Sequence, residues 1–457
     1  MPNLGTRAHR MAAATGTGAA LIYLGFVPLA PTARAAPASG VVAPPAEILS
    51  NYEVATGHTL DRDCGYTVPV LSPYHPSPGE YPVASGTFRP AGAFADLWLF
   101  CDTVDYNASG TEVGAILGTD TAAEGPLVPG QVPQDLSELP TPPARAFLPS
   151  DSPPSPFLPV PSGLVQPGST SACVGTGYSP TGVYGPASPG IYPASWIDGA
   201  AREPAGFGNN PLDVLLSFSN YCVDAETGNI NTLFTDEGFG LVSYDPLANR
   251  LGDPVYVFDS NGGTNLPRQE QLGDPIFFEG YLYLFAFNCN SSAFGTCLSG
   301  VIYMARVPAV QAAWDNASDY QWWTGSGWSS NYLDAGNLVP SATPLGISVG
   351  DYSTVGRGFL LIAETNLVGA FQVFTAPTPV GPWTLLKTGQ VPSTCSGGEF
   401  GCYALIGHPE LSTPSELLLS YYDPAGVGHL HLAAFPWASS PSGEAPGRAA
   451  LPGQSPG

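Results

Sequence analysis

Two dipeptides in this chain are mirror images of each other, Asp63-Cys64 and Cys101-Asp102. If the two cysteines bridge neighbouring antiparallel strands, opposed residues keep a constant index sum, and 63 with 102 has the same sum as 64 with 101. Asp63 is then expected to face Asp102 on the side of the sheet away from the disulfide. Carboxylates held roughly 5 Å apart resist double ionisation. One can keep a proton as an acid while the other acts as base or nucleophile, the division of labour that glycosidic cleavage requires. The plainer alternatives are carboxylates that cap turns or bind backbone N–H groups, and a carboxylate cage for Ca²⁺.

Other residues sit where inward-pointing strands begin: Ser195 and Trp196, Asp274, Ser348 and Asp351, then His408 and Glu410. The set is acidic and aromatic with few basic groups, which suits a neutral polar ligand such as a sugar and suits an anion poorly. Trp196, Asp274, Asp351, His408 and Glu410 are therefore the expected substrate contacts. Trp322, Trp323 and Trp328 offer either a sugar platform or packing between layers, and packing is the favoured expectation. Glu364 ends a strand, Glu279 precedes a hairpin glycine, and Asp224, Glu226, Asp236 and Glu237 read as solvated turn residues. There is no GxSxG elbow and no CxxC, and the six His lack metal-ligand spacing. A serine hydrolase and a zinc enzyme are thereby disfavoured, and no cofactor is called for.

The elements that must position these groups are short strands. With 55 Gly and 50 Pro the chain is punctuated every few residues, so long helices are not expected. Between the breaks lie branched and aromatic runs such as 97–100, 214–218, 281–285, 359–362 and 417–421. Each is preceded by a strand-like stretch and a turn, and is usually followed by a third strand. Five such sets predict an all-β chain folded as a five-bladed β-propeller, although periodicity alone also admits a pair of β-sandwiches. A propeller gathers its innermost strands around one axis, which would bring the candidates above together. The expected plan is a signal peptide at 1–35, a flexible lead-in at 36–50, the propeller at 51–437 with a Pro-rich excursion at 121–168, and a disordered tail at 438–457. The one expected helix spans 308–314.

Export is read from Arg7, His9 and Arg10, the Ala-rich apolar run after them, and the small-x-small site Ala33-Arg34-Ala35. The run is too interrupted to be a good membrane span, so no membrane contact is expected after cleavage. A formal charge of −24 disfavours nucleic acid and anionic lipid as partners. All eight cysteines follow the signal, and an even count in an exported chain favours disulfides. Cys289 with Cys297 and Cys395 with Cys402 are spaced for small loops. Cys64, Cys101, Cys173 and Cys222 allow three pairings, the simplest being 64–101 with 173–222.

In order along the chain, several segments match a known pattern. Asp63-Cys64-Gly65-Tyr66-Thr67 and Leu97-Trp98-Leu99-Phe100-Cys101-Asp102-Thr103 are followed by the runs 280–285, 304–308, 320–328 and 376–383, then by His408-Pro409-Glu410-Leu411-Ser412 with 417–422. Together they resemble a family of secreted propellers catalogued as domain of unknown function 4185, which includes bacterial endo-D-arabinanases. The resemblance implies that Asp63 and Asp102 match the family's catalytic carboxylates, and that the substrate is a polysaccharide containing arabinose. The chain departs from the pattern at Cys101, where the family has glycine, and in the long Pro/Gly-rich spacing between 71 and 95. The competing expectations are a non-catalytic carbohydrate-binding or adhesion propeller and a structural exoprotein.

Overall fold

The branched and aromatic runs pair with their sequence neighbours into five antiparallel sheets arranged as the blades of a propeller. The computed structural model describes residues 45–72, 93–160, 183–184, 190–204, 213–224, 234–259, 272–293, 296–391, 401–424 and 428–437. The segments expected as signal and tail, Cys173, Cys395 and the last part of the Pro-rich stretch lie outside them. The side chains of Asp224, Glu226, Asp236 and Glu237 do so as well. Among the described residues, no helix is long and apolar enough to cross a membrane.

The innermost strands of the five blades are Thr59–Ser72, Ile191–Arg202, Gly273–Phe278, Gly346–Asp351 and Tyr403–Gly407. Each touches the next, and the fifth touches the first, so they line a closed axis. The second strands are Ala93–Tyr106, Val214–Asp224, Tyr281–Ala293, Phe359–Glu364 and Glu416–Asp423. They read as nearly continuous apolar runs because each is buried on both faces. Leu282 and Leu284 pack toward blade two, while Tyr283 and Phe285 pack toward blade four. Leu361 likewise faces blade three, and Leu360 and Ile362 face blade five. The core is therefore a set of seams between blades, and strand alternation assigns each side chain to one of them.

Two expectations about the plan need correction. The lead-in is not featureless to residue 50: Ala46–Glu47 pairs with His429–Pro436 and completes blade five, so the first described strand closes the ring on the last. The helix Asn51–Thr56 follows, started by a capping box in which Ser50 and Glu53 satisfy each other's backbone N–H groups. The stretch expected as an excursion also supplies blade one with strands, Thr121–Pro126 against Ala93–Tyr106 and Ser137–Glu138 beyond it. The expected helix at 308–314 is formed over Gln311–Trp314.

Candidate functional site

Cys64 and Cys101 are joined, with Cα atoms 5.5 Å apart. Cys289 and Cys297 are joined as well, and Cys222 and Cys402 each take part in a further disulfide. On either side of the first bridge the ladder keeps the expected register, Arg62 facing Thr103 and Tyr66 facing Leu99. Between them it is broken, and Cys64 faces Phe100. Cys64 and Gly65 both adopt the left-handed conformation, with φ of 65° and 89°, which bulges the strand and cancels the alternation of its side chains. Asp63 is consequently not presented on the face away from the disulfide. One of its carboxylate oxygens lies within 4.8 Å of both cysteine sulfurs. The side chain is half-buried and accepts a hydrogen bond from the Tyr403 hydroxyl of blade five at 2.9 Å.

Asp102 lies on the second strand of blade one and is buried. Its Oδ1 accepts from the Gly118 N–H at 3.0 Å and from the Trp196 indole N–H at 2.9 Å, and the Tyr192 hydroxyl stands 3.5 Å from Oδ2. Donors of this kind suit an ionised carboxylate. Gly118 has a φ of 77°, and a Cβ there would stand 2.4 Å from the Pro193 carbonyl oxygen, so only glycine lets this loop reach the next blade. Trp196, expected as a substrate contact, thus holds Asp102, and its ring leans on Tyr221 at 5.3 Å.

Around these two the fold adds acids that sequence reasoning missed. Asp120 is fully buried, and its Oδ1 accepts from the Ile197 N–H at 2.9 Å. Burial pushes its carboxyl well up, the Ile197 bond opposes this, and the charges of Asp198, Asp102 and Asp63 push it further. Asp198 sits in a bulge of the blade-two inner strand, next to Gly199. Asp274, expected from sequence, sits in a bulge at the start of the blade-three inner strand with φ of 48°. Burial raises its carboxyl well above the usual range, the Val349 N–H bond opposes, and the charge of Asp198 adds to the rise. The Tyr66 phenol is held protonated by burial and by the charges of Asp274, Asp198, Asp120 and Asp63. Four aspartates from three consecutive blades therefore act on one tyrosine. The signal for Asp198 was present as Asp198-Gly199 against Gly273-Asp274, a second mirrored pair, but it has meaning only once the two strands are known to be neighbours.

The remaining candidates lie elsewhere. His408 and Glu410 are buried at the seam of blades one and five. The Thr67 hydroxyl donates to Glu410 and stands 2.6 Å from His408 Nδ1, and the His408 ring packs 5.1 Å from Trp98. Asp96 is buried beside them, its carboxyl raised well up by burial and then by the charge of Glu410. Asp351 is exposed, and its Oδ1 accepts from the N–H and hydroxyl of Ser353, so it shapes a turn. Ser348 accepts from the Gly407 N–H at 3.1 Å and joins blades four and five. Glu364 is buried, its carboxyl raised to about 8 by burial against opposing N–H bonds from Leu405 and Ala404. The tryptophans of blade three pack with their neighbours: the Arg306 guanidinium lies 4.0 Å over Trp328 and 4.1 Å over Tyr281, and the Trp323 and Trp328 rings meet at 5.3 Å. Trp322 is buried in the seam with blade two.

A family model described as domain of unknown function (DUF5005) matches residues 268–429. It covers blades three and four and most of blade five, and it is a different family from the one resembled in sequence. No curated protein matches the chain. Among solved structures, the chain is similar to a candidate hydrolase from Bacteroides ovatus, at 15% identity and a TM-score of 0.48, covering 82% of this chain and 86% of that one. It is also similar to a family 117 glycoside hydrolase of Zobellia galactanivorans, at 9% identity and a TM-score of 0.40, covering 86% and 89%. A third is the GH43_1 enzyme of Xanthomonas citri complexed with xylose, at 10% identity and a TM-score of 0.38, covering 85% and 92%.

Proposed function

We propose that this protein is an exported glycoside hydrolase acting on a polysaccharide that contains arabinose, with Asp63 and Asp102 as the carboxylates of the reaction. The observation that carries the reading is the contrast between them. Asp63 is half-buried at the axis, fixed by a disulfide at its side and by Tyr403 from the opposite end of the chain. Asp102 is buried and held by donors from Gly118 and Trp196. In this reading Asp63 is the group that meets the sugar, as base toward water or as nucleophile toward the anomeric carbon. Asp102 supplies fixed negative charge behind a transition state that develops positive charge on the ring. The arabinose-containing substrate rests on the sequence resemblance. An axis lined by aspartates and tyrosine supports a neutral polyhydroxylated ligand over an anionic one.

The test is to incubate the mature protein with arabinan and arabinogalactan and to look for released oligosaccharide. The wild type is expected to cleave one of them. Asp63→Asn and Asp102→Asn are each expected to lower the rate by at least about 10²-fold while keeping the melting transition. Wild-type protein that binds polysaccharide without cutting it would instead be a carbohydrate-binding propeller, and cleavage that survives both substitutions would sink the assignment of the pair.

A further inference from the structure

The reading above leaves a second pair of carboxyls unused, at the seam between blades two and three. A Cβ on Gly199 would stand 2.5 Å from the Asp274 nitrogen, and one on Gly273 would stand 2.3 Å from the Asp198 carbonyl oxygen. The same Gly273 position lies 3.0 Å from the Asp198 Cβ. Two facing glycines thus let the strands approach until Asp198 and Asp274 are neighbours. Both aspartates fall inside interruptions of their ladders, as Asp63 does in blade one. Three consecutive inner strands therefore bulge at an aspartate, and bulges re-aim side chains beside active sites. A separate observation points to a ligand. Asp120 is fully buried, its Oδ2 has no hydrogen-bond partner among the described residues, and it lies within reach of the charges of Asp198, Asp102 and Asp63. A buried carboxyl oxygen left open in this way is free to bond a water or a ligand hydroxyl.

We propose that Asp274, backed by Asp198, is the proton donor of the reaction, completing from blade three a site whose open carboxylate is Asp63. This inference rests on the hydrolase reading. As the bond between the anomeric carbon and the leaving oxygen breaks, its electron pair stays on that oxygen, which takes the Asp274 proton. Asp274 is left as a carboxylate; the anomeric carbon gains a bond to a water oxygen, directly or after that water displaces Asp63, and the proton this water releases restores Asp274. The groups that face Asp274 are Asp198 from blade two, Tyr66 from blade one, and Tyr352 from blade four. Of these only Asp198 carries charge, and it favours the form of Asp274 that keeps its proton, while both phenols are held neutral.

The experiment uses the mature full chain, on whichever of arabinan or arabinogalactan the wild type cleaves, together with infrared difference spectra near pH 7. Asp274→Asn is expected to lose about 10²- to 10⁴-fold in rate, to lose the alkaline limb of the pH–rate profile, and to remove one protonated-carboxyl band from the wild-type spectrum. Asp198→Asn keeps the donor and removes the charge beside it, so its alkaline limb should move to lower pH. This second variant decides the matter if Asp274→Asn does not fold. Wild type that cleaves neither polysaccharide overturns the hydrolase reading and this inference with it. Wild type that cleaves, with a rate or carboxyl band unchanged in Asp274→Asn or an alkaline limb unmoved in Asp198→Asn, overturns this inference alone.

Discussion

The Trp196 indole reaches Asp102 from the neighbouring blade, and its contribution can be isolated because phenylalanine keeps most of the ring and loses the donor. Hydrogen bonds to charged groups are worth about 1.5–3 kcal/mol, so Trp196→Phe should cut kcat by about ten- to a hundredfold. KM should move little, and the melting temperature should fall because a buried acceptor loses its donor. A variant with unaltered kcat and lowered stability would make the bond purely architectural. At this scale sequence served unevenly. The mirrored Asp63-Cys64 and Cys101-Asp102 announced themselves because two residue types recur at linked positions. Asp120 was invisible: it follows Gly118-Thr119 in a loop, and nothing in its neighbours says that the loop folds onto Ile197. Asp351 misled for the opposite reason. It was expected where an inner strand begins, but it ends the strand Gly346–Asp351, where the chain turns to solvent.

The bulge at Cys64-Gly65 belongs to the scale of the strand. The disulfide spans 37 residues, and closing a loop of that length is worth about 4 kcal/mol. Replacing both Cys64 and Cys101 with serine should lower stability by about that amount, read from the denaturant midpoint. It should also lower turnover more than a stability loss alone explains, because Asp63 sits on the constrained turn. Full activity in the folded double variant would show that Tyr403 alone suffices to hold Asp63. The strands themselves were legible, since apolar runs bounded by glycine and proline have few other solutions, and a strand buried on both faces must read as such a run. The bulges were not, because left-handed Cys64 and Asp274 are conformations that only their surroundings impose. The two-residue strand Ala46–Glu47 carries no pattern long enough to detect. The helix after it did carry a signal, the Ser50…Glu53 capping box.

For the whole molecule the decisive contact is the closure of the ring, where Glu47 pairs with His429. The His429 hydrogen bond lowers the Glu47 carboxyl, and the Glu47 hydrogen bond raises the His429 imidazole. The raised histidine contributes stability fully below its ordinary 6.5, and loses it as pH rises through its higher folded value. The lowered carboxylate contributes above its ordinary 4.5, and loses it as pH falls through its lower folded value. The pair should therefore help most between about pH 4.5 and 6.5. Both side chains are about a third exposed, so the effect is modest. Denaturant midpoints of wild type and Glu47→Gln should differ within that window and converge above it, and a constant difference across pH would exclude the ion pair as the cause. The bond from Tyr403 to Asp63 has a consequence of another kind. It joins the first blade to be synthesised to the last, across 340 positions of sequence. A chain stopped short, or still emerging, therefore lacks one of the props of Asp63 however well its early blades have folded. The catalytic apparatus proposed here comes into register only when the final blade docks, so turnover would serve as a proofreading signal for a finished ring.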